Sequence, residues 1–92
     1  MPRGSSYKAV ANERTYPYIA ELPASTRGLD VALNRRIVQF HKTRQVQPRH
    51  GRIILKEGQS YYRWCFSDLQ MAHAFIEQFG GSLYEANRAA TR

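Results

Sequence analysis

The densest pattern of apolar and polar positions lies between Arg52 and Gly81, RIILKEGQSYYRWCFSDLQMAHAFIEQFGG. A period of two places Ile53 and Leu55 on one face of a first strand, and Tyr62, Trp64 and Phe66 on one face of a second. A two-residue turn at Gly58-Gln59 sets Leu55 opposite Tyr62 and Ile53 opposite Trp64, with glycine where a type II′ turn requires it. A Glu57-Gly58 turn keeps the same faces. A three-residue turn would put one apolar set on the wrong side. The hairpin then runs into a helix. Ser67 followed by Gln70 fits a capping box, and Phe66 with Met71 fits the hydrophobic staple around it. Leu69, Met71, Ala72, Phe75, Ile76 and Phe79 cover nearly half the helix circumference, enough to pack on both a sheet and another helix. Gly80-Gly81 ends it.

Upstream, Leu29, Leu33, Ile37 and Phe40 recur at three- and four-residue steps and predict a helix that stops near Arg44 to Val46, before Pro48. The hydroxyls of Ser25 and Thr26, or the carboxylate of Asp30, are placed to cap its start. Val31, Arg35, Val38 and Lys42 form a second row on its opposite side. The run Tyr16–Pro23 is bracketed by prolines and reads as an edge strand or as a loop laid on the core. Residues 1–15 are polar and without period, which predicts a flexible N-terminal arm. Leu83 and Tyr84 fold back, and 85–92 read as a frayed tail. The expected fold is therefore α+β, a helix–β-hairpin–helix domain over 16–84 with an antiparallel sheet of two or three strands on two helices. A hairpin alone is marginal in water. Either Tyr16–Leu22 joins the sheet, or a second copy of the chain does.

With 92 residues and 42% apolar content, the chain is one small folded domain. Its one cysteine, Cys65, excludes an internal disulfide. The start lacks the apolar core of a signal peptide, and the longest strongly apolar run is Ile53-Ile54-Leu55, so the expectation is a cytoplasmic protein with no membrane span.

Charge changes the picture more than composition does. The net charge is +7, and the two ends cancel. The whole excess lies in residues 31–56, in Arg35, Arg36, Lys42, Arg44, Arg49, Arg52 and Lys56, with no acid among them. His41 and His50 add to it at lower pH. Such a field suits nucleic acid or an acidic protein.

Catalytic chemistry finds no support. Cys65, His73, Asp68 and Glu77 contain a thiol and a base, but Cys65 sits inside a strand rather than where thiolates are stabilised. The histidines and Cys65 lack any compact metal-ligand spacing. Gly80-Gly81 follows a helix, whereas phosphate cradles precede one. The reading is a non-enzymatic module without metal or cofactor. Its hairpin carries Arg52, Lys56, Tyr61 and Arg63 on the face away from the core, continuing the charge of Arg35, Lys42 and Arg49. That set suits DNA or RNA, the aromatic offering a stacking surface. The alternative is a protein-interaction or homodimerisation module using Val31 and Val38.

The segment YYRWCFSDLQMAHAFIEQFGG also resembles the C-terminal part of short uncharacterised bacterial proteins, α-proteobacterial in character. In these a strand ending in Phe-x-Asp leads to a helix ending in Phe-Gly-Gly. Phe66, Asp68, Ala74, Phe75, Phe79, Gly80 and Gly81 carry the likeness, over about a quarter of the chain. The resemblance implies a protein of unknown function and transfers no active site.

Overall fold

A computed structural model describes residues 3–25 and 28–86, with the backbone alone for residues 3–6. The elements run α1 (Arg3–Thr15), β1 (Tyr18–Ala24), α2 (Val31–Thr43), β2 (Ile54–Lys56), β3 (Gln59–Phe66), α3 (Leu69–Phe79) and β4 (Ser82–Glu85). The strands form one antiparallel sheet in the order β2-β3-β1-β4. The α+β class holds, with three helices in place of the two expected and a four-stranded sheet in place of two or three strands.

Tyr16–Leu22 does not end in a loop or on an edge. β1 is an interior strand, pairing Ile19 with Cys65 on one side and with Tyr84 on the other. Pro23 is tolerated because β4 reaches only as far as Glu21, so its missing N–H faces no partner strand. The fold-back of Leu83 and Tyr84 is a true strand, continued by a bond from the Ala86 N–H to the Pro17 carbonyl. Of the tail read as frayed, 87–92 lie outside the described residues, and Glu85 belongs to β4. The N-terminal stretch is helical where an arm without regular structure was expected.

One face of the sheet carries the core. Ala20, Leu22, Trp64 and Phe66 meet Ile37 and Phe40 of α2 and Ala72 and Phe75 of α3. Phe75 stands at the centre, with ring centroids 5.2 Å from Trp64, 5.5 Å from Phe40 and 4.9 Å from Phe79. The broad apolar arc of α3 thus serves both the sheet and α2. The caps follow local chemistry. Asp30 Oδ2 accepts from the Leu33 N–H at 3.1 Å, while Thr26 lies outside the described residues. Asp68 rather than Ser67 starts α3, its Oδ1 accepting from the Gln70 N–H at 3.0 Å.

The hairpin turns at Glu57-Gly58, both at positive φ as a type I′ turn demands, so Ile54 faces Tyr61 and Leu55 faces Ser60. Further back, His50 bridges to Trp64. Four chain steps from His50 to Ile54 therefore oppose three from Trp64 to Tyr61, which is a bulge. The turn already moves Ile53 from its expected place opposite Trp64, and the bulge leaves it without a ladder partner. Ile53 and Leu55, read as core, are 64% and 71% exposed. No helix among the described residues is long and apolar enough to cross a membrane.

Candidate functional site

Side chains alternate across a strand, so the residues between the core positions of β1 and β3 point to the opposite face, beneath α1. Ile19, Glu21, Arg63 and Cys65 lie there, all buried. Arg63 donates from Nε to Glu21 Oε2 at 2.8 Å, with its Nη2 2.7 Å from the same oxygen. Its Nη1 reaches Glu13 Oε1 of α1 at 3.0 Å. The Tyr84 ring covers the face of the guanidinium, 4.3 Å from Cζ to centroid. Lys56 joins Glu21 at 3.3 Å and lies over the Tyr61 ring.

Glu13 is the centre of this network. Its Oε1 also accepts from Arg52 Nε at 3.2 Å and Nη2 at 2.9 Å, and its Oε2 from the Arg52 backbone N–H at 2.7 Å. The bulge takes that N–H out of the ladder and turns it toward the carboxylate. Gly51 makes the approach possible, since a Cβ there would sit 2.6 Å from Glu13 Oε2 and 3.0 Å from the Arg63 Cβ. Desolvation acts to raise the pKa of Glu13, but the hydrogen bonds from Arg52 and Arg63 outweigh it and hold the carboxyl below its ordinary range.

The basic face of the hairpin is therefore not open. Arg63 is buried and paired with two carboxylates, and Arg52 and Lys56 each have one. Nor does this face continue the charge of the first helix: α2 packs on the other side of the sheet. Arg35 and Lys42 are exposed there, beside the exposed Val31 and Val38, and make no ion pair among the described residues. His41 is no surface group either. It is 1% exposed, stacked on Phe66, its Nδ1 2.9 Å from the Ile37 carbonyl and its Nε2 without a partner. Burial pushes its pKa down, so at neutral pH it adds no positive charge.

Adjoining this network through Arg52, the segment 47–53 and α1 enclose a cleft of about 820 Å³, lined by Lys8, Asn12, Arg49, His50, Arg52 and Ile53. Arg49 lies over the Tyr16 ring at 4.2 Å, and Asn12 Nδ2 donates to the His50 carbonyl at 2.9 Å. The His50 ring rests near Trp64, and desolvation lowers its pKa. On the other side of the same segment, Leu29, Val31, Ile53, Tyr62 and Trp64 line an apolar groove of about 550 Å³.

The structure thus brings Arg49 and Arg52 together with Lys8, places Arg52, Lys56 and Arg63 in one ion-pair network, and leaves Arg35 and Lys42 apart. Lys8, Glu13 and Glu21 were missed by sequence reasoning. The legible signal was a lone charge of opposite sign in each of two apolar runs, Glu21 within YIAEL and Arg63 within YYRWCF. Nothing in the sequence signals Glu13.

Cys65 is 2% exposed, and its pKa is pushed up to about 12, by burial first and by Glu13 next, against a smaller opposing effect of Arg63. It is a protonated thiol at neutral pH. Among the described residues, no three His, Cys, Asp or Glu side chains are grouped to hold a metal ion. No protein-family model, curated protein or solved structure matches the chain.

Proposed function

We propose that the chain is a non-enzymatic nucleic-acid-binding module that holds backbone phosphates in the cleft between α1 and the segment 47–53. The observation that carries this reading is the cleft wall itself: Lys8 and Arg49 line it with no ion-pair partner among the described residues, beside Arg52, which Glu13 already holds. Unpaired cations side by side suit phosphate, and they act through charge rather than base identity. The reading relocates the interface from the hairpin face to its rim. A reducing, cytoplasmic setting accords with a lone buried thiol.

Fluorescence anisotropy with short single- and double-stranded DNA and RNA at two salt concentrations tests it. Two phosphate contacts, at Lys8 and Arg49, predict roughly sevenfold weaker single-strand binding between 50 and 200 mM salt. Arg49→Gln and Lys8→Gln should each weaken binding and flatten that dependence. Binding indifferent to salt, or none, defeats the reading.

A second reading rests on a different observation. Val31, Ile53 and Leu55 are 72%, 64% and 71% exposed, and the first two border the apolar groove. This favours protein contact, with a second copy or an acidic partner, and its mark is association that survives salt. Solution mass measured over a range of concentrations separates the two.

A further inference from the structure

We propose that Arg52 and Arg63 beneath α1 form a second phosphate position, which Glu13 occupies as a built-in competitor and which a nucleic-acid phosphate takes when α1 lifts. This rests on the reading of the adjoining cleft, with which it shares Arg52.

The first ground is the geometry of the donors. Arg52 Nε, Arg52 Nη2, Arg63 Nη1 and the Arg52 backbone N–H all converge on one carboxylate of α1. A guanidinium pair joined by a main-chain N–H is an oxyanion receptor, as suited to phosphate as to carboxylate. The bulge and Gly51 provide the backbone part of it, because a side chain at Gly51 would crowd the oxygen that accepts from the Arg52 N–H.

The second ground is how weakly α1 is otherwise committed. Its sequence RGSSYKAVANERT holds one acid against three basic residues, so apart from Glu13 its charge repels a basic site. That acid lies in the last turn, where the negative end of the helix dipole disfavours it, and the first turn has none. Glu13 therefore serves the arginines and not its own helix. The larger apolar side chains of α1 face outward, Tyr7 at 78% and Val10 at 39% exposure, while the half-buried ones are the small Ala9 and Ala11. Thirteen residues make a marginal helix in isolation. Docking and helicity are thus lost together.

The third ground is charge. Arg52, Lys56 and Arg63 face Glu13 and Glu21, leaving one positive charge in the network. Withdrawal of Glu13 raises that to two, while Glu21 and the Tyr84 ring continue to hold Arg63 in place. The vacated position adjoins the cleft through Arg52, so one strand can reach both.

The test uses the full chain and a fluorescent oligodeoxythymidylate. Glu13→Gln, which keeps the shape and removes the charge, should bind about tenfold more tightly at low salt, with a salt slope steeper by about 0.7 for one added phosphate. In the wild type, saturating oligonucleotide should strip hydrogen-exchange protection from the amides of residues 7–15. That measurement decides alone when the variant does not fold. A wild-type complex in which α1 stays protected overturns the proposal whatever the variant does, as does an α1 already unprotected without ligand. If the wild type does not bind, the reading of the cleft fails, and this proposal fails with it whatever the variant does.

Discussion

Beneath α2 and α3 the sheet presents Leu22, Trp64 and Phe66 to Phe40 and Phe75, whereas beneath α1 the intervening positions of the same strands present Glu21 and Arg63 to Glu13. Both interfaces are buried, yet they hold their helices in different ways. The apolar driving force is non-directional, and a packed core tolerates volume-conserving changes of shape best. The ion-pair side depends on complementary charge: an intact buried pair adds little over an apolar replacement, and a half-removed one is costly. The difference explains how one small domain can have a permanent lid on one face and a conditional one on the other.

The comparison breaks most visibly in a pair of substitutions followed by urea unfolding. Phe75→Ala removes the ring on which the three other core aromatics converge and should cost about 3–5 kcal/mol. Arg63→Met leaves Glu13 and Glu21 buried without their shared cation and should cost about as much, 3–5 kcal/mol. Rescue tells them apart. Adding Glu13→Gln and Glu21→Gln to Arg63→Met should restore most of the loss, because the stranded charges go with their partner. No charge change should restore Phe75→Ala. A nearly neutral Arg63→Met would mean that the network is solvated and α1 undocked.

How far this was legible in the sequence divides along the same line. Where burial is apolar and local, pattern sufficed: Leu33, Ile37 and Phe40 on α2, and Phe75 and Phe79 on α3, fall where period 3.6 puts them. The strand β4 escaped because four residues after Gly80-Gly81 carry too little pattern to distinguish a strand from a loose end. The bulge before β2 shifted the hairpin by one residue upstream of Ile54, and no single residue type announces a bulge. α1 was read as an arm because its burial is of one carboxylate and two alanines, which leaves no hydrophobic period to find. The open basic face was an error of the same origin. Cations were counted along the chain, and the acids that neutralise three of them come from 35 to 50 residues away.

Acidification sharpens the comparison with a smaller effect, in two stages. On the aromatic side, burial lowers the pKa of His41, and desolvation lowers that of His50 at the rim. A depressed pKa favours the neutral ring in the folded state, so this stability is complete above the ordinary value near 6.5 and is lost as pH falls through the folded values. On the ion-pair side the arginines depress Glu13, so its contribution is complete above about 4.5 and is lost at still lower pH. Both stages destabilise in the same direction. Thermal unfolding from neutral pH downward should show both in the wild type, and only the upper one in Glu13→Gln. Loss of the upper stage in that variant would show that the two faces are not independent.

The smallest effect belongs to a residue that the pattern placed in the core. Leu55 lies on the same face of the sheet as Tyr62 but on the edge strand beyond the reach of α2, and it is 71% exposed. Leu55→Gln should therefore change stability by no more than about 0.5 kcal/mol, as for surface sites generally. The same substitution reports on the aromatic face as an interface. When a second copy covers Val31, Ile53 and Leu55, the wild type gains stability with protein concentration by mass action, and Leu55→Gln abolishes that gain while leaving the dilute value unchanged. Unfolding at two concentrations a hundredfold apart distinguishes the cases. A midpoint independent of concentration in both proteins leaves the exposed leucine as an uncovered edge position.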